Sequence, residues 1–195
     1  MKRSFDILFS IFGLLILFPF FLLFAILIVI DSGFPVFYVQ KRVGRNGVDF
    51  TLIKFRTMKA NADKKGLLTV GEKDDRITSI GYFLRKLKID ELPQLFNVLI
   101  GDMSLVGPRP EVRKYVDMYS NDQKKVLSVL PGITDYASIE YSNENEILAG
   151  SHDPEQLYIQ KIMPAKLTLN LQYIEKNTVL TDVGIILKTI GKILS

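Results

Sequence analysis

Two features of one central run have residue types suited to phosphoryl-transfer chemistry. The first is an adjacent acid pair, Asp90 and Glu91, placed where an apolar spacing typical of a helix begins. The second is the sequence GPRP at residues 107–110, in which two prolines restrict the backbone around Arg109. A helix start favours ionised carboxylates, and an always-charged guanidinium attracts phosphate oxygens. This run therefore predicts carboxylates held ionised beside a pre-positioned cation.

Each feature alone has a simpler interpretation. An adjacent acid pair is usually a solvated helix cap, and a turn with two prolines is usually only a turn. The spacing predicts a helix over residues 77–87, with Arg85 on the side leading to the acid pair. It also predicts a mostly polar helix over residues 111–130. The catalytic interpretation gains weight because these features occur together with the apolar segment at the start of the chain.

That segment has no charged residue from Ile7 to Ile30. It is longer than the roughly 20 apolar residues that cross a bilayer. It also exceeds the apolar region of a signal peptide, and no small-residue cleavage site follows. The sequence therefore predicts a retained membrane segment at residues 1–31 and a second domain at residues 32–195.

Pro19 lies near the centre of the membrane segment, where a proline is expected to kink a helix. Basic residues stand at positions 2 and 3 before the segment and at positions 41, 42 and 45 after it. Basic flanks on both sides suit a helix that enters the membrane, bends and returns to the same face. A plain spanning helix with a tolerated proline is the alternative.

Residues 36–39 and 49–53 predict two strands joined by an Asn-Gly turn. Arg42 flanks this turn, and Lys54 and Arg56 alternate with apolar neighbours on one strand face. Such a basic face is either simply solvated or a site for phosphate groups. Later in the chain, apolar residues alternate with a period of two within residues 164–176, which is typical of a strand. An apolar stripe then runs over residues 183–194. The stripe predicts a helix that faces either the core or the bilayer interface.

Composition narrows the class of protein further. The chain has 25 Lys and Arg against 21 Asp and Glu, a net charge of +4, which suits a membrane surface, nucleotide diphosphates or nucleic acid. It has no cysteine and one histidine, His152, in a polar loop, so a metal would be held by oxygen ligands and would be magnesium or manganese. No basic recognition helix, zinc pattern or RNP-like motif supports nucleic-acid binding. No P-loop or dinucleotide fingerprint is present.

The chain resembles the bacterial sugar transferase family and, within it, the small monotopic phosphoglycosyl transferases. The resemblance runs from about residue 6 to the C-terminus and rests on KFRTM (54–58), DELPQLFNVL (90–99), GDMSLVGPRPE (101–111) and PGIT (131–134). It implies an α/β fold, mostly α with a short β-hairpin. A kinked re-entrant membrane helix would precede a small membrane-associated catalytic domain.

The resemblance also implies an activity at the cytoplasmic face of the bacterial inner membrane. A phosphosugar would move from a nucleoside-diphosphate sugar, usually a UDP-sugar, to a polyprenol phosphate. This would be the first membrane step in the assembly of a capsule, O-antigen, exopolysaccharide or glycoprotein glycan, with downstream glycosyltransferases as possible partners. The alternative is a non-catalytic membrane-anchored binding or scaffold protein in which the acid pair is only a cap.

The same resemblance assigns roles to residues. Asp90 would attack the phosphate bonded to the sugar, forming a covalent intermediate and releasing a nucleoside monophosphate. Glu91 would hold Mg²⁺, and Arg109 would offset the charge of the diphosphate. Four further basic residues become candidate contacts for phosphate or lipid head groups: Arg42, Lys54, Arg56 and Arg85.

Three positions depart from the common family pattern. Phe18 stands before the proline where Ser is frequent, so a backbone-satisfying hydroxyl is missing at the expected bend. Asp135-Tyr136 follows PGIT in place of Gly-Trp, which we interpret as a difference in the sugar pocket. Asn170 stands where an acidic residue is frequent, in a stretch for which the resemblance favours a helix over a strand.

Overall fold

The first element is a long apolar helix, α1, which spans Lys2–Ser32 and includes Pro19. The computed structural model describes residues 2–60, 62, 68, 70–71 and 74–194. Within these ranges, α1 is the one helix whose length and apolar composition would let it cross a bilayer. It is a single α-helix through Pro19, and the bend at this proline stays a prediction. Its outward side chains are exposed, including Leu8, Phe12, Leu15, Ile16, Phe18, Leu22 and Ile30.

The beginning of α1 is bonded to the rest of the chain by charged side chains. Lys2 forms an ion pair with Asp182, which is buried. One turn further on, the buried carboxylate of Asp6 accepts hydrogen bonds from Ser104 Oγ at 2.9 Å and Leu105 N at 3.1 Å. A buried charge is tolerated only where it has such partners. The start of the helix is therefore fixed on the domain.

The end of α1 is bonded to the same domain. Asp31 Oδ2 accepts a hydrogen bond from Ile80 N at 3.1 Å. Arg56 donates to both the carbonyl and the hydroxyl oxygen of Ser32, each at 2.9 Å, and also to the carbonyl of Gly33. A guanidinium satisfies carbonyls that a helix C-terminus leaves without partners. Both ends of α1 are thus bonded to the same folded part of the protein.

The predicted hairpin is confirmed. Strand β1, Phe37–Val43, pairs antiparallel with β2, Asp49–Phe55. The turn between them contains Asn46 at φ 59° and Gly47 at φ 74°, the left-handed conformation that an Asn-Gly pair adopts readily. Both strands extend beyond their predicted ends, and Lys54 lies in β2.

A second, parallel sheet brings two distant segments together. Strand β3, Ser104–Val106, pairs with β4, Gly132–Thr134. Gly107 and Gly132 approach so closely that a Cβ atom on Gly132 would lie 2.0 Å from the backbone nitrogen of Gly107. Only glycine allows this approach. It sets the GPRP turn at residues 107–110 directly against the chain at residues 131–134.

Helix α2 spans Ser79–Lys86 and α3 spans Gln94–Ile100, so a helix at each of these places is confirmed. The long helix predicted over residues 111–130 is wrong. That region forms only a short helix, α4, Arg113–Val116, and a 3₁₀ segment at Gln123–Ser128. Ser120 N donates to Gln123 Oε1 at 2.8 Å, and Gln123 N donates to Ser120 Oγ at 3.2 Å. Such reciprocal bonds begin a new helical segment and interrupt a continuous one.

The C-terminal part is helical. Three short helices, α5 (Tyr136–Glu140), α6 (Glu144–Ala149) and α7 (Pro154–Leu157), precede a π-helical turn at Tyr158–Ile162. Helix α8, Met163–Glu175, confirms the helix favoured over a strand in this stretch. The main apolar core is built from α4, the 3₁₀ segment, the π turn and α8, with Val116, Tyr119, Val126, Tyr158, Ile162 and Leu167 buried in it.

The last helix, α9, spans Val179–Leu194 and has two different faces. Asp182 and Ile185 are buried on one side. The opposite side leaves an apolar stripe exposed at helical spacing, formed by Leu180, Val183, Leu187, Ile190 and Leu194. The core-facing alternative is confirmed for the side that carries Asp182 and Ile185, and contact of the exposed stripe with the bilayer interface stays a prediction.

Candidate active site

The acid pair lies in a short 3₁₀ turn, Ile89–Glu91, between α2 and α3. Lys88 enters this turn in the left-handed conformation, at φ 56°, and Pro93 caps the start of α3. Behind the pair, Leu95 and Val98 of α3 are buried in the core. This packing buries both carboxyl-bearing residues almost completely, with Asp90 6% and Glu91 8% exposed.

Asn97 connects α3, which follows the acid pair, to strand β2, which carries Lys54. It is fully buried, its Oδ1 accepts a hydrogen bond from Ile53 N at 3.1 Å, and its Nδ2 donates to Thr51 O at 2.7 Å. The carboxamide thus bonds to the backbone of β2 as a neighbouring strand would. This attachment sets the distance between the acid pair and the basic strand face.

Glu91 is enclosed by two cations. Arg109 Nη1 donates to Glu91 Oε2 at 3.0 Å, and a second bond joins Arg109 Nη2 to Oε1. Lys54 Nζ donates to the same Oε1 at 3.0 Å. Burial opposes ionisation of Glu91, but the attraction of Arg109 and Lys54 outweighs it and holds the pKa of Glu91 well below its usual range. Glu91 is therefore a fixed negative charge between two positive ones.

The pKa of Asp90 is shifted in the opposite direction from that of Glu91. Burial raises the pKa of Asp90, and the repulsion of Glu91 adds to this, while Lys54, Arg85 and Lys88 act in the opposite direction. Its Oδ1 is buried and has no hydrogen-bond partner among the described residues. Burial outweighs the lowering of this pKa that a helix start was expected to cause. Helix α3 begins only at Gln94, so its N–H groups do not offset the burial of Asp90.

Arg109 is held from its backbone side by Asp135. The side chain of Asp135 is fully buried, accepts a hydrogen bond from Arg109 N at 3.1 Å, and caps α5 by accepting from Ser138 N at 2.6 Å. The attraction of Glu91 raises the pKa of Arg109, so the guanidinium stays charged. Sequence reasoning missed this role for Asp135. The signal was an Asp directly before a helix, the usual N-cap position.

The other predicted basic residues fall at different places. Lys54 joins the acid pair, and Arg42 bonds Pro110 O at 3.3 Å and Glu111 Oε1 at 2.8 Å, beside the GPRP turn. Arg85 acts on Asp90 through its charge from α2. Arg56 is not part of this cluster, because its guanidinium bonds the end of α1 as described above. The structure therefore brings together Asp90, Glu91, Lys54 and Arg109, with Arg42 and Arg85 at the margin.

The predicted magnesium ion would need oxygen donors from the acid pair. Within the described ranges, no cluster of three or more His, Cys, Asp or Glu side chains that could hold a metal ion is found. Magnesium is usually held by one or two protein carboxylates together with substrate phosphates and water. Oδ1 of Asp90, which has no partner among the described residues, is one such oxygen, whereas both oxygens of Glu91 accept hydrogen bonds from Arg109 or Lys54.

Two clefts open beside Arg109 on the side of α8. Both are lined by Arg109, Glu111, Tyr119, Leu167 and Asn170. One extends along the GPRP turn to Val43 and Pro131, and the other reaches Tyr158 and Lys166. Arg109 therefore lies between the buried acid pair and two small clefts, each with a volume of about 20 Å³.

The chain belongs to the bacterial sugar transferase family, whose model matches residues 1–195. A putative undecaprenyl-phosphate N-acetylgalactosaminyl 1-phosphate transferase of Bacillus subtilis is 45% identical over 133 residues, which cover 68% of this chain and 70% of that protein. The UDP-N-acetylgalactosamine-undecaprenyl-phosphate N-acetylgalactosaminephosphotransferase of Aeromonas hydrophila is 37% identical over all of this chain and 44% of its own length. The predicted family and enzyme class are confirmed.

A third relative is the undecaprenyl-phosphate galactose phosphotransferase of Salmonella typhimurium. It is 40% identical over 159 residues, which cover 74% of this chain and 33% of that protein. Both this relative and the Aeromonas protein are thus more than twice as long as the part they share with this chain. Two of these names specify N-acetylgalactosamine and the third specifies galactose.

Proposed function

We propose that this protein transfers a phosphosugar from a nucleoside-diphosphate sugar, in the simplest case a UDP-sugar, to a polyprenol phosphate. The observation that carries the proposal is that two adjacent carboxyl groups have different surroundings. Glu91 is held ionised by Lys54 and Arg109, while Asp90 beside it has an oxygen for which the described residues supply no partner. The names of the relatives, which specify undecaprenyl phosphate and either N-acetylgalactosamine or galactose, support the same classes of substrate.

In the first step, a carboxylate oxygen of Asp90 attacks the phosphorus bonded to the sugar. A new bond joins phosphorus to Asp90, and the bond from that phosphorus to the oxygen shared with the second phosphate breaks. The leaving group is a nucleoside monophosphate. Dividing one difficult exchange into two displacements is the usual advantage of a carboxylate nucleophile.

In the second step, a phosphate oxygen of the polyprenol phosphate attacks the same phosphorus. The bond between phosphorus and Asp90 breaks, and the carboxylate is regenerated. The product is a polyprenol diphosphate that carries the sugar. No group is oxidised or reduced, and charge is conserved over the two displacements.

An anionic carboxylate and an anionic diphosphate repel each other, and the cations beside the acid pair reduce this repulsion. Arg109 and Lys54 offset that repulsion from fixed positions, and the low exposure of the site strengthens their effect. Glu91 holds both cations in place. Magnesium held by Glu91 would supply further charge neutralisation at the diphosphate, and it would compete with Lys54 and Arg109 for the two oxygens of Glu91.

The site requires access to a membrane, where a polyprenol phosphate resides. We propose that residues 1–31 re-enter one leaflet and that the catalytic domain, residues 32–195, stays on the cytoplasmic face of the inner membrane. Both ends of α1 are bonded to the same domain, at Lys2 and at Ser32, which supports entry and exit on one side. The exposed apolar stripe of α9 supports contact with the same surface.

Single cysteines at exposed positions test this topology, since the natural chain has none. Ser4→Cys lies before the apolar run and Arg45→Cys lies after it. We expect both to react with a membrane-impermeant maleimide from the cytoplasmic side only, in inverted vesicles but not in intact cells freed of their outer membrane. Labelling of the two positions from opposite sides would contradict the proposal and establish a spanning helix.

The activity is tested with the purified chain in lipid, offered a panel of UDP-sugars with undecaprenyl phosphate and Mg²⁺. We expect UMP release that requires Mg²⁺ and is abolished by excess EDTA. Sustained turnover should also require the acceptor. Full activity in EDTA would show that the side-chain cations alone neutralise the charge of the diphosphate. Failure of every nucleotide sugar to release a nucleoside monophosphate would reject the enzymatic proposal and leave the scaffold alternative. The product would feed glycosyltransferases that extend a polysaccharide.

A further inference from the structure

The residue that begins the turn of the acid pair has an unusual backbone conformation. Lys88 is the second residue after α2 and lies at φ 56° and ψ 18°, in the left-handed region. Glycine is usual at this position after a helix, because a side chain makes the left-handed conformation unfavourable. Among the described residues, Asn46 of the Asn-Gly turn is the other non-glycine residue with a positive φ. A lysine in this place therefore has a use that the backbone alone does not explain.

The side chain of Lys88 brings a positive charge to the acid pair. Lys88 is exposed, and its carbonyl accepts a hydrogen bond from Glu91 N at 3.2 Å, so it belongs to the turn that carries both carboxyl groups. Burial raises the pKa of Asp90, and the charge of Lys88 acts against this effect. Within the described ranges, the ammonium group has no hydrogen bond or ion pair. Lys88 thus presents a solvated cation beside the proposed nucleophile.

The helix that ends before Lys88 packs against the apolar helix α1. Leu84 of α2 is fully buried in one cluster with Phe21 and Ile28 of α1. The two cations that bond Glu91 belong instead to strand β2 and to the GPRP turn. A phosphate that arrives from the lipid beside α1 would therefore reach the acid pair along α2, on the side of Lys88.

We propose that the ammonium group of Lys88 binds a phosphate oxygen of a substrate at the acid pair, and that polyprenol phosphate supplies this phosphate. The inference rests on the proposed function, in which the acceptor phosphate attacks the phosphorus held on Asp90. An ammonium group has three donors on a flexible stem, which suits a phosphate that arrives separately from the sugar donor. Its charge also offsets the repulsion between the acceptor phosphate and the bound phosphosugar. Glycine at this position would relieve the backbone but would lose this charge.

The test measures kcat/KM separately for a UDP-sugar and for undecaprenyl phosphate, in variants of the full chain in lipid. With two displacements, the first value reports the attack of Asp90 and the second reports the attack of the acceptor. Lys88→Gly suits the left-handed backbone, so we expect an unchanged or higher Tm together with a kcat/KM for undecaprenyl phosphate lowered about tenfold or more. The value for the UDP-sugar should change by less than about threefold at a pH where it no longer rises, since Asp90 is then ionised in every variant.

Two further variants separate charge from backbone conformation. Lys88→Arg keeps the charge and should retain most of the kcat/KM for undecaprenyl phosphate. Lys86→Asn removes an exposed charge from the last turn of α2, and as the matched control it should change neither value. If Lys88→Gly does not fold, Lys88→Asn replaces it, because asparagine also tolerates the left-handed conformation.

Unchanged kinetics in Lys88→Gly would overturn the proposal, because Lys88 would then serve only to end α2. A loss for the UDP-sugar that equals or exceeds the loss for undecaprenyl phosphate would overturn the assignment to the acceptor. A loss in Lys88→Arg as large as in Lys88→Gly would overturn the role of the charge. Failure of the proposed function itself is distinguishable, because the unaltered chain would then release no nucleoside monophosphate.

Discussion

Asp90→Asn should reduce the release of nucleoside monophosphate by on the order of 10⁴-fold or more, because it removes the attacking carboxylate and keeps its shape. The measurement is single-turnover UMP release in the absence of acceptor, which isolates the first displacement. Asp102→Asn is the matched control, an acid at the end of α3 to which the site assigns no contact. Substantial release by Asp90→Asn would show that another group attacks the phosphorus.

The same variant should be at least as stable as the unaltered protein. A group whose pKa is raised on folding contributes stability below its unfolded pKa and loses it as the pH rises through the folded pKa. At neutral pH the buried carboxyl of Asp90 is therefore unfavourable, and a neutral carboxamide relieves the cost. We expect an unchanged or higher Tm at pH 7. A Tm several degrees lower would mean that Asp90 has stabilising partners in the native state.

Glu91→Gln should have the opposite effect on stability. It leaves Arg109 and Lys54 together without their shared counter-charge, and we expect a loss of roughly 1–3 kcal/mol, less than for a fully buried pair because both cations are partly exposed. Turnover should fall by about 10²–10³-fold, since the cations are no longer held at the phosphates. The measurements are the Tm and the steady-state rate over a range of Mg²⁺ concentrations.

The pH dependence separates the two carboxylates. The pKa of Glu91 is lowered on folding, so its contribution to stability is present above the unfolded pKa and is lost as the pH falls through the folded pKa. Glu91→Gln should therefore flatten the decline of Tm at acidic pH. Arg109→Lys keeps the charge but loses the two-pronged geometry and should show an intermediate loss of activity. A Glu91→Gln variant with normal turnover and normal Tm would contradict the role given to the cation pair.

The local parts of the site could be predicted from the sequence. The acid pair, the GPRP turn and the hairpin are encoded within a few residues each, by proline, by Asn-Gly and by the apolar spacing. Lys54 was predicted only as a contact for phosphate or lipid head groups, and its bond to Glu91 was not predicted. What joins these parts could not be predicted, because it depends on distant pairs such as Arg109 with Asp135 and Asn97 with β2.

The errors have physical causes of the same kind. A low pKa of Asp90 was predicted from its place at a helix start, but burial, which no local pattern reveals, raises that pKa. Arg56 was grouped with Lys54 by alternation, yet its partners are the carbonyls at the end of α1. The polar stretch at residues 111–130 was predicted as one helix because the reciprocal bonds of Ser120 and Gln123 were not recognised.

The central claim is that the phosphosugar is carried on Asp90, and mass spectrometry of the trapped intermediate tests it most directly. The unaltered chain is mixed with its nucleotide sugar in the absence of polyprenol phosphate, quenched in acid and digested. The account predicts the added mass of one phosphosugar on the peptide that contains Asp90, and its disappearance after polyprenol phosphate is supplied. An adduct on Asp75 or Asp102, or one that still forms in Asp90→Asn, would contradict it.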